Sequence, residues 1–314
     1  MSLASLKQSA HLKVQRFQSP DELNAIGFVE IERQVLLGSY THNRAITALP
    51  GMHLIVEETS PRGLDAMMSA PGCAAIVPMS DQADVVFNAR TWESSAIGLL
   101  RGRTPFSLRE PHPNTFAIIR FSSDMQNRGW DEAEDRLHLR NADGAQLARL
   151  QCAIRRVLAL SSAPMADLPF ATAADMLQRE LVDALDGVLA SGSTRSAVTG
   201  TFERHRKLVS RLDEFVRSHP AIPLYSEHLA MEVGTSARTL QTAVQTVHGV
   251  SLHHYLRGMR LWALRAQLTK GLPLTSVSSA AAANGFAHMG ELSRLYKSTF
   301  GELPSETLLR SKVA

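Results

Sequence analysis

The sequence predicts an α+β fold: a β-rich N-terminal domain, two helices, and then an all-α C-terminal domain. Three observations predict it. Short apolar runs separated by Gly, Pro, Asn and Asp fill residues 27–121, which is typical of a compact β sandwich or barrel. Apolar residues then recur at helical spacing. Near the C-terminus, one helix–turn–helix pattern occurs twice, about fifty residues apart.

Length and charge distribution favour two domains with different roles. The 314 residues are 44% hydrophobic and 20% charged, which is typical of a globular protein with room for two cores. Residues 201–314 hold 14 Lys and Arg against 8 Asp and Glu, a net charge of +6. The remaining residues hold 19 against 22, a net charge of −3. A basic C-terminal domain indicates nucleic-acid binding by that domain alone.

No sequence signal for export or membrane insertion is found. The two cysteines, Cys73 and Cys152, are far apart and indicate neither a disulfide framework nor a thiolate metal site. The first residues lack the apolar core of a signal peptide, and no apolar run approaches the ~18 residues of a membrane helix. We therefore expect a cytoplasmic protein with no membrane partner.

The expected N-terminal domain, residues 1–190, begins with a polar lead-in and continues as strands. A short helix is expected after the cap signal Ser19-Pro20-Asp21-Glu22. Six runs are predicted to be strands: Phe28–Leu37, Met52–Glu57, Ala74–Pro78, Val85–Asn88, Ser95–Leu100 and Phe116–Phe121.

Two amphipathic helices follow the strands. Apolar stripes at helical spacing predict helices over residues 144–160 and 171–190, separated by the helix-breaking Ser161-Ser162-Ala163-Pro164. These helices either pack on the β unit of the same chain or pair with a second subunit, and the sequence leaves both alternatives open.

The C-terminal third is predicted to be helical. Residues 191–201 are predicted to be a linker, because Ser191–Ser196 is small and polar. The C-terminal domain, residues 202–314, then opens with a helix over 202–218. A long central helix is predicted over 251–269, where Gly271-Leu272-Pro273 ends it.

Each copy of the repeated pattern places a small residue four positions before a glycine. Ala230 precedes Gly234, and Ala281 precedes Gly285. The small side chain lets two helices approach, and glycine tolerates a left-handed turn. Helices 236–248 and 289–300 are predicted to follow these turns. Two such motifs joined by a helix predict a protein that reads two successive major grooves of double-stranded DNA.

Helical periodicity predicts which side chains of the two recognition helices are exposed. Ser236 is a candidate N-cap of the first helix, and its exposed side is predicted to hold Arg238, Gln241, Thr242 and Gln245. Arginine pairs well with guanine and glutamine with adenine. The exposed side of the second helix is predicted to hold Met289, Gly290, Ser293, Arg294 and Lys297. His288 precedes this second helix and either caps it or contacts a phosphate.

These residues resemble the AraC/XylS family of bacterial transcription regulators over residues 204–312. The most specific segment is Gly285–Leu308, which resembles the family's second recognition helix and closing motif. Its G-F-x-H-x-G and F-G-E-x-P-S-x-T-L forms are similar to the branch containing the ethanolamine-operon regulator. Tyr255–Arg265 resembles the linker helix of that branch.

The resemblance implies roles for particular residues and for the N-terminal domain. Many members carry Arg where this chain has Thr242, which predicts a shifted sequence preference. The N-terminal domain is implied to be a cupin-like sensor followed by dimerisation helices. The family's base-contacting positions fall on Arg238, Gln241, Thr242, Met289, Gly290, Ser293 and Arg294.

The leading hypothesis is therefore a ligand-responsive, sequence-specific transcriptional regulator, and more specifically an activator. Its expected partners are double-stranded DNA, RNA polymerase, a small-molecule effector of unknown identity and, as an open alternative, a second copy of the chain. Candidate effector-binding residues are two arginine pairs that could bind an anion: Arg101 and Arg103, and Arg136 and Arg140.

Two competing hypotheses remain. The first is a metal-dependent cupin-type enzyme, which needs clustered His and carboxylate ligands at short spacing. No His-x-His pair occurs among the five N-terminal histidines, so we expect no metal, no cofactor and no catalytic residues. The second is a DNA-binding protein that responds to no ligand.

Overall fold

The chain forms two compact units. The computed structural model describes residues 3–17, 29–36, 40–68, 73–80, 84–88, 90–101, 105–122, 137–163, 170–191, 193–196, 200–219, 225–271 and 275–313. The N-terminal unit comprises Met1–Arg33 and Thr41–Val198, and the C-terminal unit comprises Gln34–Tyr40 and Thr199–Ala314.

Two sheets dominate the described part of the N-terminal unit. Their strands are β1 (Lys13–Phe17), β2 (Val29–Leu36), β3 (His42–Leu49), β4 (Met52–Thr59), β5 (Arg62–Met68), β6 (Cys73–Pro78), β7 (Val86–Phe87), β8 (Arg90–Thr91), β9 (Ala96–Arg101), β10 (Pro105–Glu110), β11 (Asn114–Phe121), β12 (Leu137–Asn141) and β13 (Ser193–Ser196). The larger sheet has the order β1-β3-β4-β11-β6-β9-β12-β13, and the smaller one β2-β5-β10-β7-β8.

Two helices cover one face of the larger sheet. They are α1 (Gly144–Ser162) and α2 (Phe170–Ser191), and their apolar stripes share one core with that face. The Asp143 carboxylate accepts hydrogen bonds from the amides of Ala145 and Gln146 and so begins α1. A second apolar core, which includes Phe87 and Phe106, lies between the two sheets. The unit therefore has three layers.

From residue 200 onward, the C-terminal unit is helical in its described residues. Its helices are α3 (Gly200–Ser218), α4 (Ser226–Glu232), α5 (Ala237–His248), α6 (Leu252–Thr269), α7 (Val277–Ala283), α8 (Met289–Phe300) and α9 (Pro304–Val313). One apolar core joins α3, α4 and α5 to the first half of α6. Another joins α7, α8 and α9 to its second half. The single helix α6 thus belongs to both cores.

The predicted fold class is confirmed. Each of the six predicted strands overlaps an observed strand, and the predicted helices agree with the observed ones to within two residues at each end. The helix expected after Ser19-Pro20-Asp21-Glu22 lies outside the described residues. The domain boundaries at 190 and 202 stay a prediction.

Part of the predicted linker is instead a strand. Residues 193–196 form β13, which pairs antiparallel with β12, so that His138 lies opposite Ser196. Small polar residues carry no apolar pattern, and the hydrogen-bonding partner lies more than fifty residues away in the sequence. Local composition therefore cannot reveal this strand.

Candidate nucleic-acid interface

The first repeated motif is α4, a left-handed glycine and α5. Gly234 has φ +73°. The Thr235 amide donates to the Ala230 carbonyl at 2.8 Å, and the Gly234 amide donates to the Met231 carbonyl at 3.1 Å. This pair of bonds is a Schellman motif, which satisfies the last carbonyls of a helix and turns the chain sharply.

The second motif repeats this geometry. Gly285 has φ +73°. The Phe286 amide donates to the Ala281 carbonyl at 2.9 Å, and the Gly285 amide donates to the Ala282 carbonyl at 3.0 Å. Ala281 is fully buried, as Ala230 nearly is in the first motif. The predicted roles of the small residue and the glycine are thus seen in both motifs.

The two glycines offer a matched test of the turns. A Cβ on Gly234 would meet no heavy atom within 4 Å, whereas one on Gly285 would lie 2.9 Å from Arg260 Cζ. We expect Gly234→Ala and Gly285→Ala each to cost about 1–2 kcal/mol in urea unfolding from the left-handed backbone, because the Arg260 guanidinium is the far end of a flexible side chain and can move aside. Gly258→Ala, in the open interior of α6, should stabilise by about 1 kcal/mol. A much larger loss at Gly285 than at Gly234 would show that the Arg260 guanidinium cannot move aside.

The first recognition helix, α5, presents a polar face. The Ser236 hydroxyl accepts from the Thr239 amide at 3.1 Å and so caps the helix as predicted. Leu240, Val244 and Val247 are buried. The predicted surface residues are all exposed: Arg238, Gln241, Thr242 and Gln245.

The Thr242 side chain is exposed, but its hydroxyl already donates a hydrogen bond within α5 and so is less available to donate one to DNA. Its hydroxyl donates to the Arg238 carbonyl at 2.9 Å, which leaves a methyl group and an acceptor facing outward. A groove of about 510 Å³ runs beside this face, and its lining includes Gln241, Gln245 and His253. The exposed face of α5 therefore borders a concave polar surface.

The second recognition helix, α8, presents a sparser face. Met289, Gly290, Arg294 and Lys297 are exposed, and Ser293 is half-buried. Tyr296 and Phe300 are fully buried. His288 occupies the N-cap position, but its side chain makes no capping hydrogen bond. Since Gly290 offers no side chain, α8 displays fewer groups than α5.

Buried polar contacts hold each motif in its core. The Tyr255 hydroxyl donates to Asp213 at 2.7 Å, and its ring stacks on His248 with centroids 4.4 Å apart. In the second core, Arg265 Nη1 donates to Glu302 Oε1 at 2.8 Å, and the guanidinium lies 4.5 Å from the centroid of the Phe300 ring.

Two of the four candidate effector arginines, Arg101 and Arg140, lie within the described residues. Arg103 and Arg136 lie outside the described residues. Arg140 on β12 pairs with Ile97 on β9, the strand that ends at Arg101. The two described arginines are thus four residues apart along the strand pair, or about 13 Å.

The N-terminal unit instead holds a group of buried polar side chains that the sequence patterns miss. We call it the buried polar cluster, and its members are His42, Arg44, Glu57, Thr59, Arg62, Glu110 and Asn114, all at most 6% exposed. Strand alternation directs them into the space between the two sheets, because Val56 on β4 faces the helices and Glu57 faces the opposite way. One sequence signal of this cluster was available, because ionisable side chains recur at every second position, as in His42-Asn43-Arg44.

Ion pairs connect the two sheets through this cluster. Arg44 approaches Glu57 to 2.6 Å, and His42 lies 3.5 Å from the same carboxylate. Arg62, on the smaller sheet, donates to Glu110 at 2.8 Å and lies 4.0 Å from Glu57 on the larger one. Two arginines thus balance two carboxylates.

The surroundings shift the pKa of two cluster members. Burial lowers the pKa of His42, against the opposing attraction of Glu57. Burial alone would raise the pKa of Glu57, but Arg44, His42 and Arg62 outweigh it and hold that pKa well below its ordinary range. At neutral pH, Glu57 is therefore ionised and His42 neutral.

Neither a membrane span nor a metal centre is found in the described ranges. No helix there has both the length and the apolar character needed to cross a bilayer. No group of three or more His, Cys, Asp or Glu side chains there is arranged to hold a metal ion.

Comparison with known proteins places the C-terminal unit among helix-turn-helix domains. A family model described as a helix-turn-helix domain matches residues 229–310. XylDLEGF operon transcriptional activator 3 of Pseudomonas putida is 33% identical over 114 residues, which are 36% of this chain and 34% of that protein. The probable thc operon regulatory protein of Rhodococcus erythropolis is 33% identical over 96 residues, covering 30% and 29% of the two chains.

The chain is also similar to a solved structure. A probable AraC family transcriptional regulator from Rhodopseudomonas palustris is 33% identical, with 33% of this chain and 97% of that chain covered and a TM-score of 0.30. The chain spans about a third of the length of the curated activators it matches. The match to the family model, residues 229–310, spans both glycine turns and both recognition helices described above, and the C-terminal unit therefore contains a helix-turn-helix domain, similar in sequence to the probable AraC family regulator.

Proposed function

We propose that the protein is a ligand-responsive transcriptional activator that binds specific DNA sequences through both motifs. The observation that carries the proposal is the repetition of one turn geometry before two helices, each with an exposed polar face, on either side of α6. Such helices enter successive major grooves of one duplex. The similarity to curated operon activators supports the direction of regulation.

The proposed contacts differ between the two helices. On α5, Arg238 reads guanine, and Gln241 and Gln245 read adenine, while the outward methyl group of Thr242 suits a thymine methyl. On α8, Met289 contacts a thymine methyl, and Arg294 reads guanine or holds a phosphate. Because Gly290 lacks a side chain, the second helix contributes more positioning than specificity. His288 and Lys297 are proposed to contact phosphates, and Ser293 is proposed to contact a base, as the family's base-contacting position there implies.

The test is a salt titration of DNA binding by the full chain. Probes carry the DNA upstream of its own and neighbouring genes, with unrelated DNA as competitor. We expect a preferred probe and an affinity that falls steeply with salt. Arg238→Ala should cost about 1–3 kcal/mol of binding and relax specificity at one base pair. The matched control is Arg217→Ala, an exposed arginine on α3. No preferred probe, or equal effects at both positions, would overturn the proposal.

We propose that the N-terminal unit binds the effector. A ligand that binds the folded chain adds RT ln(1 + [L]/Kd) to its stability, so a metabolite panel read by thermal unfolding would reveal it. A ligand-independent DNA-binding protein would respond to no compound, in either stability or DNA affinity.

The remaining proposals concern partners and branch. We infer that the chain acts in the cytoplasm with RNA polymerase. Because the apolar stripes of α1 and α2 are buried against the larger sheet of the same chain, any homodimer interface on these helices would use their outward faces. Its sequence over Gly285–Leu308 supports a place in the branch of the ethanolamine-operon regulator. No catalytic role is proposed; a stoichiometric metal in the purified protein would instead favour the cupin-type enzyme.

A further inference from the structure

The first turn of the second recognition helix lacks the support that the first one has. In α5 the Ser236 side chain caps the helix. In α8 the side chain of the N-cap residue His288 makes no capping hydrogen bond, and the second helical residue is Gly290. Both features weaken a first turn, because orphan amides stay unsatisfied and glycine disfavours the helical backbone. The part of α8 nearest to its turn therefore depends on contacts from elsewhere.

Two arginines of α6 supply such contacts. Arg257 Nη2 donates to Glu291 Oε1 at 2.5 Å, and Glu291 lies in the first turn of α8. Arg260, three residues further along α6, packs its guanidinium against the turn at Gly285. Residues three apart share one helix face. The linker helix thus contacts both sides of the entry into α8.

We propose that Arg257 and Arg260 are positioning residues for the second recognition helix and take the place of a side-chain cap. The consequence for DNA binding rests on the proposed function above. The positioning itself is a property of the free protein and is tested without DNA.

The first test is amide hydrogen exchange of the full chain with Arg257→Ala. We expect the amides of residues 289–292 to exchange about two- to fivefold faster, the range that an exposed ion pair contributes, while those of residues 237–240 stay unchanged. Arg257→Lys should retain most of the protection. Arg206→Ala is the matched control, since it removes a pair with Glu203 of similar exposure on α3 and should leave residues 289–292 unaffected.

Two further variants separate positioning from general loss of stability. Glu291→Gln added to Arg257→Ala should cause only the small further acceleration that loss of a carboxylate at the helix N-terminus brings, because the ion pair is already broken. His288→Ser added to Arg257→Ala should restore protection by providing a cap. Unchanged exchange at residues 289–292 in Arg257→Ala, or equal acceleration in α5, would overturn the proposal.

DNA binding gives an independent readout. Arg257→Ala should weaken binding to the preferred probe about two- to fivefold without changing the salt dependence. A fall in the salt slope by about one would mean that Arg257 contacts a phosphate directly and would overturn the positioning role. If the unaltered chain binds no preferred DNA, the proposed function fails, and the exchange experiment still decides the positioning role.

Discussion

Replacing Glu57 by alanine is expected to lower the free energy of unfolding of the N-terminal unit by about 3–5 kcal/mol. The carboxylate is buried between Arg44 and His42 and lies within 4.0 Å of Arg62. Removing it leaves two buried guanidinium groups with one remaining carboxylate, Glu110, in a region that excludes water. An unpaired buried charge costs far more than the pair contributes, which is why the expected loss is large.

Denaturant unfolding of the full chain, followed by hydrogen exchange in the strands, would measure this loss. The matched control is Glu180→Ala, which breaks an ion pair with Arg156 between α1 and α2 in the same unit. That pair has a similar separation, 2.9 Å, but both side chains are at least 35% exposed. Its loss should cost less than about 1 kcal/mol. Similar losses of unfolding free energy in the two variants would show that the buried polar cluster stabilises the contact between the sheets no more than an exposed ion pair does.

The same cluster should make the stability depend on pH. The folded pKa of His42 lies below its ordinary value of 6.5, and that of Glu57 lies below 4.5. As the pH falls, the unfolded state therefore binds each proton before the folded state does. Stability should be complete above pH 6.5, decrease as the pH falls through the lowered pKa of His42, and decrease again below pH 4.5. Urea midpoints at pH 8, 5.5 and 4 would show this, and the second decrease should shrink in Glu57→Ala.

Arg265→Ala is expected to cost about 3–5 kcal/mol and to unfold the second motif selectively. Arg265 is 1% exposed, contacts Glu302 and lies over the Phe300 ring, so its loss removes both a charge partner and packed volume. Because α8 and α9 share this core, their amides should lose protection at lower denaturant than those of α5. Arg310→Ala is the control, since Arg310 donates to the same Glu302 oxygen at 2.8 Å but is 63% exposed. Equal losses in α5 and α8 would mean that the two cores unfold together.

The helices could be predicted from the sequence because their signals are local. The apolar stripes of α1 and α2 recur every three or four residues, and Ser236 and Gly234 mark the start of one helix and the end of another within a few positions. The exposed face of α5 follows from the same periodicity. Fold class and the orientation of the recognition helices therefore needed no knowledge of tertiary contacts.

The six predicted strands leave out several observed ones, among them β3 and β5, and these were missed because their signals are not local. β3 and β5 place His42, Arg44 and Arg62 on their inward faces, where a hydrophobic pattern expects apolar residues. Burying these charged side chains is possible because they pair with Glu57 and Glu110. These partners lie up to 48 residues away in the sequence. The contact of Arg257 with Glu291 likewise joins residues 34 apart. Such complementarity across distant segments is a property of the folded chain and leaves no periodic signal.

Because α6 belongs to both cores, its length fixes the distance between the two recognition helices. Its 18 residues span about 27 Å, somewhat less than the ~34 Å that separates successive turns of a major groove on one side of DNA. In the proposed complex, the distance between the two half-sites is thus set by a rigid rod rather than by a flexible tether. Once one recognition helix is bound, the other is already held at high effective concentration near its own groove. Such a protein tolerates base changes within a half-site more easily than a change in the spacing between half-sites.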